Sequence, residues 1–342
     1  PIFSLLSICN CASLFNADLQ VSHEFVNIRF VRHVNGSSAL PHECLESSAN
    51  MRYAHGASNP PPSMRERVVI KWGGGLITKK DVLKQPHLEI IGSLADQILE
   101  CNLLGIDVIL VHGAGSFGHL KAKKYRLADG RLDLPDARIL GAMTQDEAIL
   151  EVRNDMLELN QHIMEALTLR DISAVSLPPH QWANGTGAEF KGSLEHFIQA
   201  PKGITMVTFG DVVACQGEKE FGILSGDDLV ARLAIEVPHV SRLIFAIGGV
   251  DGVLAVPPIH AGPEDLIEVL TPDHVFDGEH ESAIDVTGGI GLKVERGFYV
   301  AEHGIDVIMV NGGFPSRVLD ACAGRLVRGT KLSPSNSNSK HQ

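Results

Sequence analysis

The sequence lacks the features that mark several large classes of protein. Its 342 residues include six cysteines and no Cys-x-x-Cys pair, so a disulfide framework is not predicted and reduced thiols in a cytosol-like compartment are favoured. It has no uninterrupted apolar run of about 18 residues, so no membrane span is predicted. Basic residues are outnumbered, with 29 Lys and Arg against 41 Asp and Glu. A net charge of −12 argues against a nucleic-acid surface and leaves small anionic substrates open.

One common nucleotide-binding motif is also missing, because the sequence has no G-x-x-x-x-G-K-[ST] P-loop. Any nucleotide site in this chain must therefore be built in another way.

Composition divides the chain into three parts. Residues 1–65 are rich in Ser, Asn and His, have no helical period and end in a Pro-rich stretch, which predicts a mostly disordered extension. Four acidic residues interrupt this segment, which favours a stretch without a role over an organelle signal, although the targeting alternative stays open. Residues 66–332 form the predicted catalytic domain, and 333–342 form a tail that is not expected to pack.

Between the two ends, short apolar runs alternate with helical periods. Apolar runs at 68–71, 106–111, 204–209, 242–247 and 307–310 predict buried strands, and amphipathic stretches such as 143–169 predict helices between them. This alternation predicts a mainly parallel sheet with helices on both faces, in a three-layer αβα sandwich. Ligands of such sheets bind beyond the carboxyl ends of the strands.

Two glycine-rich turns follow predicted strands. The first strand ends at Lys71 and three glycines follow at 73–75; the second leads into the run 111–119, which ends in His119. Glycines let backbone N–H groups approach a phosphate, and the start of a following helix favours an anion. One turn with a lysine and one with a histidine together predict a site for two phosphoryl groups.

Further motifs add acids and cations. Gly210-Asp211 ends a strand, and Asp227 and Asp228 open a predicted helix, where they could cap it, fix lysine ammonium groups or help to hold Mg²⁺. Lys79 and Lys80 stand at another predicted helix start, where a cation opposes the dipole unless it reaches a phosphate. The run 285–293 is a Thr-Gly-Gly turn that places Lys293 in a first helical turn.

Six motifs follow one another along the chain in the order K-x-G-G, H-G-x-G-S-F-G-H, G-D, S-G-D-D, V-D-G-V and D-V-T-G-G-x-x-x-K. This ordered set resembles the amino acid kinase superfamily over residues 66–330. The G-S-F-G-H ending resembles the isopentenyl phosphate kinases within it. The resemblance implies an amino acid kinase-like fold and transfer of a phosphoryl group from ATP, with Mg²⁺, to isopentenyl phosphate, giving isopentenyl diphosphate for isoprenoid biosynthesis by the alternative mevalonate route. It further implies a homodimer. With the cysteine usage and the net charge, a cytoplasmic enzyme without nucleic-acid partners is predicted.

The resemblance also assigns roles to individual residues. It implies catalytic roles for Lys71, Lys80, His119 and Asp227. It implies substrate contacts for Gly113, Gly118, His119 and Gly210. It implies nucleotide contacts for Lys71, Gly73, Gly74, Gly75, Ala114, Gly249, Asp251, Gly288, Gly289 and Lys293. No metal ligand is predicted. Two positions depart from the pattern, because Gly75 replaces a common Ser and Gly249 a frequent Asp beside the nucleoside.

Two alternatives remain at this point. A related kinase could phosphorylate a carboxylate or phosphonate, as acetylglutamate, aspartate and fosfomycin kinases do. A nucleotide-binding regulator without catalysis is the other alternative, to which Gly75 and Gly249 lend slight support.

Overall fold

The computed structural model describes residues 66–79, 82–133, 143–273 and 289–334. The chain divides into two units, Pro1–Ser58 and Asn59–Gln342, and all the described residues belong to the second. The predicted extension at 1–65 and most of the predicted tail lie outside the described residues.

An eight-stranded sheet forms the centre of this unit, in the strand order β10-β12-β11-β9-β1-β2-β6-β3. Its strands are β1 (Arg67–Trp72), β2 (Asp107–His112), β3 (Ala174–Ser176), β6 (Thr205–Phe209), β9 (Val240–Ile247), β10 (Val269–Leu270), β11 (Asp306–Asn311) and β12 (Gly329–Leu332). All neighbours pair in parallel except β11 and β12, which are antiparallel. The predicted mainly parallel sheet is confirmed.

Helices cover both faces of the sheet, as the αβα prediction requires. They are α1 (Gly74–Ile77), α2 (Leu88–Leu103), α3 (Gly115–Lys124), α4 (Gln145–Thr168), α5 (Glu195–Ile198), α6 (Gly226–Glu236), α7 (Ile290–Glu302) and α8 (Pro315–Cys322). One apolar core lies between the sheet and α2, α4 and α8, and a second lies between the sheet and α6 and α7. Each fully buried Leu, Ile or Val side chain in these layers contributes about 1.5–3 kcal/mol.

The β1 strand shows how the alternation of side chains sets up the site. Val68, Ile70 and Trp72 pack in the first core, and Val69 packs in the second. Lys71 therefore points to the α6 side, because successive side chains of a strand face opposite ways. All six residues of β1 are buried, so the lysine is held inside the protein rather than at a solvated strand end.

A second, four-stranded sheet was not predicted from the sequence. It has the order β5-β4-β7-β8 and consists of β4 (Ala183–Asn184), β5 (Lys191–Gly192), β7 (Asp211–Ala214) and β8 (Phe221–Leu224). Its strands have two to four residues, too few to show a period of two.

Five parallel strands end at the same edge of the main sheet, and each is followed by a glycine: Gly73, Gly113, Gly210, Gly248 and Gly312. The glycine-rich turns identified in the sequence therefore lie at this edge. In the part of the chain that the structure describes, no helix is long and apolar enough to cross a membrane.

One prediction at this edge was wrong. The sequence predicts a helix start at Lys79, but α1 ends at Ile77 and Lys79 lies in a loop, where its N–H donates to the carbonyl of Gln85 at 2.9 Å. The loop is closed by an isolated bridge between Thr78 and Pro86. The argument from the helix dipole therefore does not apply to Lys79, and Lys80 lies outside the described residues.

Candidate functional site

A buried carboxylate shared by two lysines forms the centre of the candidate site. Asp227, in the first turn of α6, forms an ion pair with Lys71, which is 5% exposed. The second oxygen of the same carboxylate lies 3.5 Å from Nζ of Lys293. Asp227 thus fixes the ammonium groups of two cations that the sequence placed in separate motifs. Of the roles left open for this acid, the structure favours the fixing of lysines.

The local sequence explains how these groups meet. Ser225 caps α6, because its hydroxyl accepts the N–H groups of both Asp227 and Asp228 at 3.1 Å. Gly226 leaves room for Lys71, since a Cβ there would lie 3.1 Å from the lysine Cε. Lys293 stands in the first turn of α7, as predicted, and its Nζ also donates to the carbonyl of Gly289 at 3.1 Å.

The environment changes the acidity of Lys71. Burial disfavours the charged ammonium and lowers the pKa of Lys71 from 10.5 to about 8, against the opposing effect of Asp227. The neighbouring charge of Lys293 lowers this pKa further, and Asp228 raises it. The lysine is therefore protonated at neutral pH, and it has given up most of its water contacts. A cation in that state gains strongly from an added phosphate.

The two glycine-rich loops pack directly against each other. A Cβ on Gly113 would lie 2.6 Å from the N atom of Gly74, and a Cβ on Gly115 would lie 2.6 Å from the carbonyl oxygen of Gly74. Gly115 also has a φ of +51°, which side chains rarely adopt. The packing of the two loops therefore requires glycine at these positions, whether or not a phosphate also binds there.

This packing makes a stability prediction. We expect Gly115→Ala to lower the free energy of unfolding by about 2 kcal/mol more than Gly105→Ala, because the added methyl would overlap its neighbours. Gly105 is the matched control, with a φ of +79° and open space around it. Urea denaturation of both variants measures the difference. Equal losses in the two variants would contradict the proposed close packing.

Helix α3 begins between these loops and carries His119. Its N-cap is Ala114, whose methyl group cannot cap the helix. The hydroxyl of Thr78 accepts the N–H of Ser116 at 3.0 Å and ties α1 to α3. The first turns of α3 thus bring Ala114, Gly118 and His119 to the glycine-rich edge, and His119 is exposed there. A helix start of this kind favours an anion.

Gly118 lies between this helix and α4. A Cβ at Gly118 would lie 3.2 Å from Sδ of Met156, so the glycine allows α3 to pack closely on α4. An apolar cluster continues from Met156 behind this contact and includes Tyr125, Phe209 and Val212. Phe209 and Val212 flank the Gly210-Asp211 pair. These four side chains are at most 5% exposed, so the cluster forms core behind this edge.

Two histidines that were not singled out from the sequence support the predicted acceptor glycines. His112 is fully buried, lies 3.2 Å from the carbonyl of Gly113 and contacts Asn160 of α4 at 3.3 Å. Burial lowers the pKa of His112 to about 4, so the ring is neutral and its role is to hold the loop. His180 plays a similar part next to Gly210, with Nδ1 at 2.6 Å from the buried carboxylate of Asp211.

The structure places the predicted nucleotide residues in different surroundings. Lys71 and Lys293 contact the central carboxylate, and the carbonyl of Gly289 accepts from Lys293 at 3.1 Å. Gly73 and Gly74 follow β1 directly after Lys71 and Trp72, and Gly75 is exposed. Gly249 has a φ of +85° and open space around it. The Asp251 carboxylate is already engaged by Arg317 and Arg328 at 2.6 Å each and by Asn311 at 3.1 Å. These partners hold the pKa of Asp251 at about 2. Gly288 lies outside the described residues.

The described residues do not offer a ready protein site for Mg²⁺. Among residues 66–79, 82–133, 143–273 and 289–334, no group of three or more acidic, His or Cys side chains is arranged to hold a metal ion. Asp227 is engaged by lysines, and Asp228 binds Arg296 at 2.7 Å.

The chain was compared with known families and structures. Residues 66–311 match the model of the amino acid kinase family. An isopentenyl phosphate kinase of Methanothermobacter thermautotrophicus is 29% identical over 276 residues, which cover 78% of this chain and 98% of that protein. An isopentenyl phosphate kinase of Arabidopsis thaliana is 24% identical, covering 71% of this chain and 86% of that protein.

Solved structures agree with this pattern. An X-ray structure of an isopentenyl phosphate kinase aligns with a TM-score of 0.65 at 26% identity, and covers 78% of this chain and 100% of its own. A substrate complex of an isopentenyl phosphate kinase aligns at 0.60, with 26% identity and coverage of 78% and 99%. UMP kinase from Ureaplasma parvum aligns at 0.51 with 18% identity, covering 79% of this chain and 99% of its own, and shows the fold alone.

Proposed function

Because the chain belongs to the amino acid kinase family, we propose that it transfers the γ-phosphoryl group of ATP to isopentenyl phosphate and forms isopentenyl diphosphate and ADP. The observation that carries this proposal is the pairing of a lysine-lined site around Asp227 with a glycine-rich helix start that carries His119. The similarity to isopentenyl phosphate kinases over about 78% of the chain supports the choice of acceptor.

The proposed chemistry explains the kind of side chains present. The acceptor is a phosphate monoester, whose second pKa is about 6, so its oxygen is already ionised near neutral pH. The reaction then needs no general base. It needs cations and amide donors that bring two anions together and stabilise the charge on the transferring group. Lysines held by Asp227 and the glycine-rich backbone are suited to that task.

We assign the donor and acceptor phosphates to the two halves of this edge. Lys71, Lys293 and the loop at Gly73–Gly75 would bind the phosphates of ATP. His119 and the backbone at Gly113, Gly118 and Gly210 would bind the phosphate of isopentenyl phosphate. Mg²⁺ would supply charge neutralisation as a partner of ATP, and Lys80 would bridge the two phosphates.

A panel of acceptors tests this function against the carboxylate and phosphonate alternatives. Release of ADP is measured with isopentenyl phosphate, acetylglutamate, aspartate and fosfomycin in parallel. We expect turnover with isopentenyl phosphate alone. Turnover of one of the other three compounds without turnover of isopentenyl phosphate would reject the proposal, and ATP binding without any turnover would favour a regulator.

The acidity of Lys71 predicts opposite effects of pH on activity and on stability. The free enzyme should lose kcat/KM as pH rises through about 8, because the neutral amine no longer attracts phosphate. In the unfolded chain the same lysine keeps its proton up to its ordinary value of 10.5. Between about pH 8 and 10.5 the unfolded state thus binds more protons, and the contribution of Lys71 to stability rises with pH.

The two effects are measured separately. Initial rates between pH 7 and 9.5 give the kinetic profile, and urea denaturation of the native protein and Lys71→Met at pH 7.5 and 10 gives the difference in stability. A kcat/KM that stays level up to pH 9.5 would contradict the lowered pKa. So would a stability difference that does not change between the two pH values.

A further inference from the structure

A second buried ion pair lies directly beside the central carboxylate and has no role in the function proposed above. Nε of Arg296 donates to Oδ1 of Asp228 at 2.7 Å, and the two side chains are 16% and 6% exposed. Nη1 of Arg296 also donates to the exposed carboxylate of Glu295 at 2.5 Å. Asp228 is the next residue after Asp227, and Arg296 is three positions after Lys293. Removing two charged groups from water is costly, so this pair needs a reason other than stability.

The spacing of the four residues gives one reason. Asp227 and Asp228 are neighbours in the first turn of α6. Lys293 and Arg296 share one face of α7, because residues three apart lie on the same side of a helix. The two helices are therefore joined by two parallel ion pairs, Lys293 with Asp227 and Arg296 with Asp228. Two such contacts fix the rotation of α7 on α6 more closely than one contact could.

The charges give a second reason. Asp227 and Asp228 together carry two negative charges, which Lys71 and Lys293 would only neutralise. With Arg296 included, these five side chains carry a net charge of +1. Glu295 also pairs with Arg296, but it is 66% exposed, so solvent and salt screen its charge. A site that binds polyphosphate needs this excess of positive charge in a poorly solvated environment, where an unbalanced charge acts strongly. Arg296 cannot itself lose its proton in the ordinary pH range, so it keeps the balance constant.

We propose that Asp228 and Arg296 are positioning residues for the nucleotide phosphates: they hold α7 so that Lys293 reaches Asp227, and they keep the lysine cluster cationic. The inference rests on the proposed phosphoryl transfer for the identity of the anion. The pair does not touch the transferred group in this scheme and acts through Lys71 and Lys293.

Lys71 provides the means to observe this effect. The charged groups that face it are Asp227 and Asp228 from α6 and Lys293 from α7. Its neighbours in register on β2 and β9 are Val111 and Phe245, which carry no charge. A change in the charge of the Asp228–Arg296 pair should therefore be seen as a change in the titration of Lys71.

The experiment is a double-mutant cycle with Arg296→Met, Asp228→Asn and the double variant, in the full-length chain. The titration of Lys71 is followed by NMR of ¹³C-labelled lysine side chains, with Lys71→Met used to assign the signal. Affinity for a non-hydrolysable ATP analogue is measured by calorimetry. The control is Arg325→Met, which removes an exposed arginine whose partner is Asp320.

We expect the single variants to shift the titration of Lys71 in opposite directions. Arg296→Met leaves Asp228 uncompensated, so the pKa of Lys71 should rise above about 8 and nucleotide affinity should fall on the order of tenfold. Asp228→Asn should lower the pKa of Lys71. The double variant replaces the ion pair by neutral groups of similar size, and it should bring the pKa back toward about 8. Arg296→Lys should restore most of the nucleotide affinity, and Arg325→Met should change neither property.

A purely structural role makes a different prediction. If the pair only stabilises the fold, the single variants will lower the unfolding temperature and leave the titration of Lys71 unchanged, or they will shift it in the same direction. Either result overturns the inference. Neither the titration of Lys71 nor the nucleotide affinity requires isopentenyl phosphate. If isopentenyl phosphate is not the acceptor, the turnover assay will show it, and the double-mutant cycle will still test this inference.

Discussion

Replacement of Lys71 by methionine is expected to lower kcat/KM for phosphoryl transfer by about a thousandfold while the protein remains folded. Lys71 is a buried cation held by Asp227 at the end of β1. Removing one fixed donor that stabilises developing charge typically costs 10²–10³ in kcat, and the loss of nucleotide affinity adds to this. Methionine has a similar length and no charge, so it carries no desolvation cost of its own, and Asp227 keeps Lys293 as a partner.

The control for this variant is Lys202→Met. Lys202 is an exposed lysine in the loop before β6, at the opposite edge of the sheet, so its loss should leave kcat/KM within a factor of two. Rates come from a coupled ADP assay, and circular dichroism and urea denaturation confirm folding. A Lys71→Met protein that keeps more than a tenth of the native kcat/KM would show that the lysine does not act on the phosphates.

Replacement of His119 by alanine is expected to act on the other half of the site. A charge-assisted hydrogen bond to a phosphate contributes about 1.5–3 kcal/mol. Its loss should raise the KM for isopentenyl phosphate about 10- to 100-fold. Affinity for ATP should stay unchanged, because the lysine cluster around Asp227 is left intact.

His196→Ala is the matched control, since His196 is an exposed histidine on the short helix α5. Its KM values should equal those of the native protein. Steady-state kinetics with each substrate varied in turn separates the two halves of the site. If His119→Ala weakens ATP and isopentenyl phosphate equally, or neither, His119 does not belong to the acceptor site as proposed.

The parallel strands β1, β2, β6, β9 and β11 of the main sheet were predictable because they are largely buried, and the long helices were predictable because they have clear periods. The strands β10 and β12 were not predicted. The prediction for 68–71 corresponds to β1 at Arg67–Trp72, and that for 143–169 corresponds to α4 at Gln145–Thr168. The small sheet was not predictable, since its strands pair through tertiary contacts and are too short to show a pattern. Helix α1 begins at Gly74, a residue type that disfavours helices, and close packing against α3 overrides this preference.

The candidate site was predictable at its lysines and glycines and less so at its supporting groups. Lys71, Asp227 and Lys293 each stood in a recognisable motif, and the fold brings their side chains together. Arg296 could not be singled out, because a charged residue on a helix has the same sequence pattern whether it is solvated or buried in an ion pair. The same holds for Asp155, a buried acid of α4 whose carboxylate binds Lys84 and Lys121 at 2.7 Å.

The glycines at the strand ends have two causes, of which the sequence indicated one. Their density at the strand ends predicted an anion cradle, and the structure adds a second cause, because Gly74, Gly113 and Gly115 allow two loops to touch. A single sequence cannot separate these causes, since both require the absence of a Cβ. Asp251 is similar: the family resemblance implies a nucleotide contact, and the structure shows a carboxylate engaged by Arg317, Arg328 and Asn311.

The central claim is that two phosphates meet at one edge of the sheet and that one becomes attached to the other. Phosphorus NMR of a reaction with MgATP and isopentenyl phosphate tests this directly. We predict that the single resonance of the monoester is replaced by two mutually coupled doublets of a diphosphate, together with the signals of ADP. A monoester resonance that persists unchanged while ATP is hydrolysed to ADP and inorganic phosphate, or while a carboxylate acceptor is phosphorylated, would contradict the claim.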